Sequence, residues 1–273
     1  MPDHKRDKKT VDDIWRSYLL TGETDGAYPV NFQTVRRIFR MMPSDPRCLI
    51  CYSPFGGAGG AVSRVLLNRR RSTLNPQMCD VCERYARENS GGAEIELSML
   101  FADIRGSTKI AEKLAPAEFS RLINRFYQAA TSVLVHSNAF IEKLIGDEVA
   151  GLFVPGLAGP EHARVAIEAA RQILSATGHG AAGEPWAPLG VGVHTGTAYV
   201  GAVGHADGMT TISALGDAVN TTAHLASQAG PGEILVSEGA AMAAGIDYSR
   251  YEARRLQFKS RSKAVNARVI RLP

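Results

Sequence analysis

Ser98-Met-Leu-Phe-Ala-Asp-Ile-Arg-Gly-Ser-Thr108 is the stretch from which the rest of the chain can be read. The almost wholly apolar run from Ile95 to Ala102 predicts a buried strand. It ends in one carboxylate, Asp103, followed by the small polar turn Arg105-Gly-Ser-Thr108. A carboxylate at a strand end beside such a turn suits a divalent cation and phosphates. Hard cations take oxygen ligands, and open backbone N–H groups cradle anions. Taken alone, an Asp in this place is as often a helix cap. The second half of the pattern is Lys143-Leu-Ile-Gly-Asp-Glu-Val-Ala-Gly-Leu-Phe153. There two apolar strands flank Gly146-Asp147, a hairpin-turn signature with a second carboxylate, Asp147, at its tip.

Working outward, a long helix is expected from Pro116, a favoured first helical residue. Phe119, Leu122, Ile123, Phe126, Ala130, Val133 and Leu134 form its apolar face. A second helix is expected from Pro160 to about Ala176, with Val165, Ala166, Ala169, Ala170 and Ile173 inward. Leu189–Gly196 and Thr197–Val203 read as strands or a hairpin, Asp217–Gln228 as a helix rich in small residues, and Glu233–Val236, Arg254–Lys259 and Ala267–Leu272 as closing strands. The order β-α-β-β-α-β predicts an α+β fold with a ferredoxin-like core.

Two further motifs follow in order, Gly192-Val-His-Thr-Gly196 and Leu215-Gly-Asp-Ala-Val-Asn220. With Phe101-Ala-Asp-Ile-Arg-Gly-Ser-Thr108 and Lys143-x-x-Gly-Asp147, this series resembles the class III nucleotidyl cyclase catalytic domain. The resemblance runs from about Glu94 to the C-terminus and leaves the N-terminal third uncovered. Such cyclases convert a nucleoside triphosphate to its 3′,5′-cyclic monophosphate and pyrophosphate, using two Mg²⁺ or Mn²⁺ ions. By this resemblance Asp103 and Asp147 are metal carboxylates and the Ile104 carbonyl an extra ligand, while Gly106, Ser107 and Thr108 lay backbone donors along the phosphates. Lys259 corresponds to the phosphate-binding lysine.

The resemblance places base choice at Lys143 and Ser213. A lysine donor suits an acceptor on adenine, so ATP is the expected substrate, with GTP or a pyrimidine triphosphate as alternatives. Asn220 matches the asparagine that orients the ribose in the transition state. One helical turn on, where the family has an arginine, this chain has His224, so a nucleotide-binding regulatory module with impaired turnover is the competing reading. His194 reads as a structural residue of its strand. Family sites form between two subunits, which implies a homodimer with two shared sites.

The N-terminal third carries a different chemistry. Its four cysteines fall in two pairs, Cys48-Leu-Ile-Cys51 and Cys79-Asp-Val-Cys82, separated by 27 residues. Two-residue spacing lets both sulfurs of a turn face one ion, and four thiolates complete a tetrahedron. A zinc ion in a treble-clef-like module is expected, with an iron–sulfur cluster as the alternative; disulfides do not suit a reducing cytosol. The second knuckle opens an expected helix over 80–88. Gly56-Gly-Ala-Gly-Gly60 is expected to be a flexible loop, since no Lys-Ser/Thr follows at phosphate-loop spacing. The apolar positions Phe32, Val35, Ile38, Phe39 and Met42 recur at helical spacing, and such a stripe is normally core.

These readings divide the chain into a flexible N-terminus over residues 1–28, a helix plus Cys₄ module over 29–92, and a cyclase domain over 93–273. Of the net charge of +4, residues 1–92 hold 15 Lys/Arg against 10 Asp/Glu, and residues 93–273 hold 16 against 17. The triplet Arg69-Arg-Arg71 could touch nucleic acid or acidic lipid, but a solvated loop is the simpler reading and no nucleic-acid partner is expected. No apolar run is long enough for a membrane span and the charged start lacks a signal-peptide core, so a cytoplasmic location is expected.

Overall fold

A computed structural model describes residues 10–23, 32–42, 46–204, 210–257 and 264–273. The helices are α1 (Val11–Thr21), α2 (Phe32–Met41), α3 (Gly57–Leu66), α4 (Asp80–Glu88), α5 (Ser107–Lys113), α6 (Pro116–His136), α7 (Pro155–Ala158), α8 (His162–Ala176), α9 (Asp217–Gln228) and α10 (Glu238–Ala243). The strands are β1 (Gly92–Ile104), β2 (Phe140–Ile145), β3 (Glu148–Phe153), β4 (Leu189–Gly204), β5 (Thr210–Leu215), β6 (Glu233–Ser237), β7 (Glu252–Leu256) and β8 (Val265–Arg271). The strands form one eight-stranded sheet in the order β2-β3-β1-β4-β6-β8-β7, with β5 paired to β4. The β1-α6-β2-β3-α8-β4 portion, with sheet order 2-3-1-4, is the ferredoxin-like core. No helix among the described residues is long and apolar enough to cross a membrane.

The chain divides into two compact units, one comprising residues 1–95 and 199–213, the other 96–198 and 214–273. In the first, α1 starts at a reciprocal cap: Asp13 N–H donates to Thr10 Oγ1 at 3.2 Å and Thr10 N–H to Asp13 Oδ2 at 3.1 Å. The helix buries Trp15, Tyr18 and Leu19, and Trp15 Nε1 donates to Asn89 O at 2.9 Å. The expected apolar stripe of α2 is only partly core. Phe39 is buried, but so is Arg36, whereas Ile38 is exposed. Arg36 donates to Ile50 O and Tyr52 Oη and stacks over the Tyr52 ring, which satisfies a charge that periodicity alone places in solvent.

The Gly56–Gly60 segment is a correction. It starts α3 instead of forming a flexible loop. A Cβ on Gly60 would lie 2.6 Å from the Phe55 carbonyl carbon, so the glycine serves close backbone approach. Likewise, residues 189–203 form a single long strand, with no turn at Gly196.

In the second unit the β2–β3 hairpin turns through Gly146, at φ +60°. α6 has Pro116 at its start and buries Phe126, Ala130, Leu134 and Val135. Gly151 lets Leu134 approach β3, since a Cβ there would meet Leu134 Cδ2 at 2.7 Å. At the other end of the sheet, Leu225, Ala229, Leu235, Leu256, Ala267 and Val269 form one apolar cluster.

An ion-pair network finishes that end. Arg254 grips both oxygens of Glu233 at 2.7 and 3.0 Å, and Arg271 adds a contact at 2.5 Å. The hydrogen bonds from Arg254 lead in holding the Glu233 carboxyl down, from the ordinary 4.5 to about 2. A depressed carboxylate contributes stability that is fully present above the unfolded value and is lost as pH falls through the folded one. Glu233→Gln should therefore cost about 1 kcal/mol at pH 7. Urea melts of the two proteins should converge as pH drops from 4.5 towards 2.

Candidate active site and Cys₄ centre

β1 and β3 pair antiparallel in a register that sets Asp103 opposite Glu148. Ile104 N–H donates to Asp147 O at 3.2 Å, so the end of β1 is tied to the hairpin turn that carries the second carboxylate. Asp103, Asp147 and Glu148 therefore crowd one sheet end. Burial raises the Asp103 carboxyl above its ordinary value, with Asp147 adding to the rise and Arg105 opposing it. Glu148 is raised by burial and then by the charge of Asp103. Tyr127 donates from its hydroxyl to Gly146 O at 2.8 Å, and burial followed by the Asp147 charge pushes its phenol up.

Arg105 is the counter-ion in this structure. Its Nη2 lies 2.5 Å from Asp103 Oδ1, while Nη1 donates to Ser227 O at 2.9 Å and its backbone N–H to Pro188 O at 2.7 Å. A half-buried group of acidic oxygens, with Arg105 against Asp103 and the charge of Lys143 felt at Glu148, is a donor set that fits hard divalent ions. Next to it, Gly106 sits at φ +69° with nothing within 4 Å of where its Cβ would be. It turns the chain into α5, whose first residues are Ser107 and Thr108.

Lys143 lies on β2 beside a register shift between Ile141 and Lys143. The bulge turns Glu142 inward, and its Oε1 accepts from Ala214 N–H at 3.1 Å while lying 3.5 Å from Lys143 Nζ. α9 presents Asn220, exposed, and His224, half-buried, one turn apart. His194 Nδ1 bonds Ser237 Oγ at 2.7 Å, which anchors it within its sheet. Ser213 is a buried residue of β5 within the first compact unit. Lys259 lies outside the described residues.

The Cys₄ centre belongs wholly to the first unit. The Sγ atoms of Cys48, Cys51, Cys79 and Cys82 all lie within 4.8 Å of one another, all four residues are buried, and none forms a disulfide. Backbone donors point at the sulfurs: Cys79 N–H to Cys48 Sγ at 3.2 Å and Cys82 N–H to Cys79 Sγ at 3.5 Å. Arg69 Nη1 reaches Cys51 Sγ at 3.5 Å and Cys79 Sγ at 3.6 Å. Hydrogen bonds from the other cysteines, Cys48 foremost, hold the Cys79 thiol well below its ordinary value. Four sulfurs on a common centre with partial positive charge around them fit a thiophilic metal ion.

Reading motifs missed Arg105, Glu148 and Arg69. Arg105 and Glu148 adjoin recognised motif residues in sequence, but only strand register and turn geometry set them against Asp103. Arg69 is separated from both knuckles, and nothing in its triplet marks it as a sulfur partner.

A ferredoxin-like sheet with two carboxylates joined at a strand end and a hairpin tip has the layout of a nucleotide-cyclising domain. The family model described as adenylate and guanylate cyclase catalytic domain matches residues 93–265, and the chain belongs to this family. It is 30% identical over 166 residues to an adenylate cyclase of Anabaena cylindrica, an alignment covering 59% of this chain and 32% of that protein. It is also 31% identical over 158 residues to guanylate cyclase 2G of Mus musculus, covering 55% of this chain and 14% of that one. The chain spans about a third or less of the length of these curated relatives. Among solved structures it resembles the guanylyl cyclase Cya2, with a TM-score of 0.57, 26% identity and coverage of 67% of this chain and 95% of that one. The adenylyl cyclase CyaB from P. aeruginosa shares the fold, with a TM-score of 0.55, 24% identity and coverage of 67% and 97%.

Gly192 fixes where α9 sits. A Cβ there would lie 2.3 Å from Ala226 N and 2.6 Å from Thr222 O, both backbone atoms of α9. Gly192→Ala should push away the helix carrying Asn220 and His224, lowering the melting temperature and reducing activity by about tenfold or more.

Proposed function

We propose that the chain is a cytoplasmic, homodimeric adenylyl cyclase that converts ATP to 3′,5′-cyclic AMP and pyrophosphate. The observation that carries this reading is the convergence of Asp103 and Asp147 at the end of β1, within a domain of the cyclase family. The ribose 3′-oxygen attacks the α-phosphorus in line, and pyrophosphate leaves. Asp103, Asp147 and the Ile104 carbonyl would hold two Mg²⁺ or Mn²⁺ ions, which would activate that oxygen and neutralise the triphosphate.

The other roles fall to side chains and backbone. Gly106, Ser107 and Thr108 hold the β- and γ-phosphates through backbone N–H groups, with Lys259 on the same phosphates. Lys143 and Ser213 read the base, Lys143 as a donor to a ring acceptor of adenine. Its neighbour Glu142 lies 3.5 Å from its Nζ. Asn220 orients the ribose, and His224 offers a donor to the reacting phosphate. The metal carboxylates of one chain serve a site with the base-reading and transition-state residues of the other.

Incubating the purified chain with each of the four triphosphates and Mn²⁺ should yield cyclic AMP as the main product. Cyclic GMP or a cyclic pyrimidine nucleotide instead would overturn the choice of base. Asp103→Ala and Lys143→Ala should each be nearly inactive, and mixing them should restore activity, because one site of the heterodimer is intact. No recovery after verified subunit exchange would sink the shared-site reading. His224 favours one alternative, a module that binds nucleotide with little turnover. An imidazole lacks the fixed, permanently charged fork of an arginine, which can be worth roughly 10³–10⁵ in rate. Nucleotide binding without product, with turnover gained in His224→Arg, is the signature of that alternative.

In the Cys₄ centre we read a single zinc ion. A tetrahedral ion about 2.3 Å from each thiolate sets the sulfurs about 3.8 Å apart. The 3.6 Å between Cys51 Sγ and Cys79 Sγ matches that spacing, and a multi-iron cluster needs a wider cage. Elemental analysis should find about one zinc per chain. Cys79→Ser should lose the metal while the thermal transition of the cyclase domain remains, and a visible absorbance that bleaches on reduction would instead identify iron–sulfur.

A further inference from the structure

The first unit holds a cavity of about 440 Å³ whose wall includes Pro54, Phe55, Arg64, Arg69, Arg70 and Arg71. Four guanidinium-bearing side chains line one concavity, and of these Arg69 is turned to the cysteine sulfurs. Among the described residues Arg64, Arg70 and Arg71 make no ion pair with a carboxylate. The nearby Asp80 spends its Oδ1 on the backbone N–H groups of Arg70, at 3.1 Å, and Val81, at 2.9 Å. Arg71 donates from Nε to Pro76 O at 2.6 Å, and its guanidinium lies 5.7 Å from the Phe55 ring centre. A second concavity of about 280 Å³, sharing Arg70 and Arg71, continues the basic wall to Arg84 and Arg87.

Arg64, Arg70 and Arg71 are exposed, and the loop that carries the triplet is pinned by its backbone. Arg71 forms a β-bridge with Cys79, Asp80 N–H donates to Arg70 O at 2.9 Å, and Ser72 N–H to Met78 O at 3.0 Å. The backbone of the triplet is thus tied to the second cysteine knuckle through one isolated bridge, and Arg69 reaches back to the sulfurs. Opposite it, α3 begins at Gly56 with no side-chain cap, and Gly56 and Gly60 also line the cavity. Guanidinium forks around a concavity match the oxygens of a phosphate group, and the volume is in the range of small-ligand sites.

We propose that this cavity binds a phosphate-bearing ligand, either a soluble phosphorylated small molecule or the headgroup of an anionic lipid. The site uses no residue of the proposed nucleotide site. It supplies the N-terminal module with a ligand of its own, and the phosphate is held between Arg64 on α3 and Arg70 on the knuckle strand.

The test uses the full chain with zinc retained and no Mg²⁺ or Mn²⁺ present, so that the Asp103 and Asp147 carboxylates keep pyrophosphate from the nucleotide site. Calorimetry with inorganic pyrophosphate and co-sedimentation with phosphatidylcholine vesicles containing phosphatidic acid are the two arms. Arg64→Ala with Arg70→Ala should weaken binding by about tenfold or more. Arg64→Lys with Arg70→Lys, which keeps charge but loses the fork, should fall between. The charge-matched control, Arg121→Ala with Arg164→Ala, should bind as the parent does. Unchanged zinc content and melting show that the variants fold. Saturable binding of pyrophosphate establishes a soluble ligand. Vesicle binding that pyrophosphate displaces establishes a headgroup. Binding of neither, equal loss in the control, or binding only to a single-stranded oligonucleotide overturns the proposal.

Discussion

The antiparallel register between β1 and β3 is the constraint on which the candidate active site depends. It sets Asp103 opposite Glu148, and the bond from Ile104 N–H to Asp147 O at 3.2 Å closes the last rung. A strand slipped by one residue would turn Asp103 to the other face of the sheet and part the carboxylates. The register is held by apolar burial along both strands, where Leu100, Phe101, Ala102, Val149, Ala150, Leu152 and Phe153 are all covered. The core thus confines like charges whose mutual repulsion and burial keep the Asp103 and Glu148 carboxyls raised. Arg105 relieves part of that repulsion here, and cations delivered with a nucleotide would relieve more.

The first compact unit solves a different problem. Its interior holds Trp15, Leu19, Phe39, Tyr52 and Met78, but also an arginine, Arg36, and four cysteines. Polar groups so placed are stable only when each has a partner. Arg36 finds Ile50 O and Tyr52, and the sulfurs collect backbone N–H groups and the guanidinium of Arg69. The cysteine cage therefore does more than offer a metal site. It sets the course of the strand that follows α3, and with it the positions of Arg69, Arg70 and Arg71.

Much of the fold was legible because strands and helices that bury one face must repeat at their own periods. Pro116 marked the start of α6, Gly146-Asp147 the hairpin, and the β-α-β-β-α-β order the core. The Gly56–Gly60 run misled, because glycines can serve flexibility or close packing and composition does not separate the two. The stripe on α2 misled in a similar way, since Arg36 is buried through partners far from it in sequence.

The sequence alone determined which chemistry is present: two carboxylates in cyclase-like motifs, a histidine where the family has arginine, and two cysteine pairs. These are matters of residue type and short spacing, which a linear chain displays directly. Only the tertiary structure decided which groups share an electrostatic field. That Glu148 faces Asp103, that Arg105 neutralises it, that Gly192 lets α9 lie against β4, and that Arg69 touches sulfur all follow from strand register and backbone approach. Such contacts join residues distant in sequence, and their energies depend on burial, so they come into being only when the chain is folded.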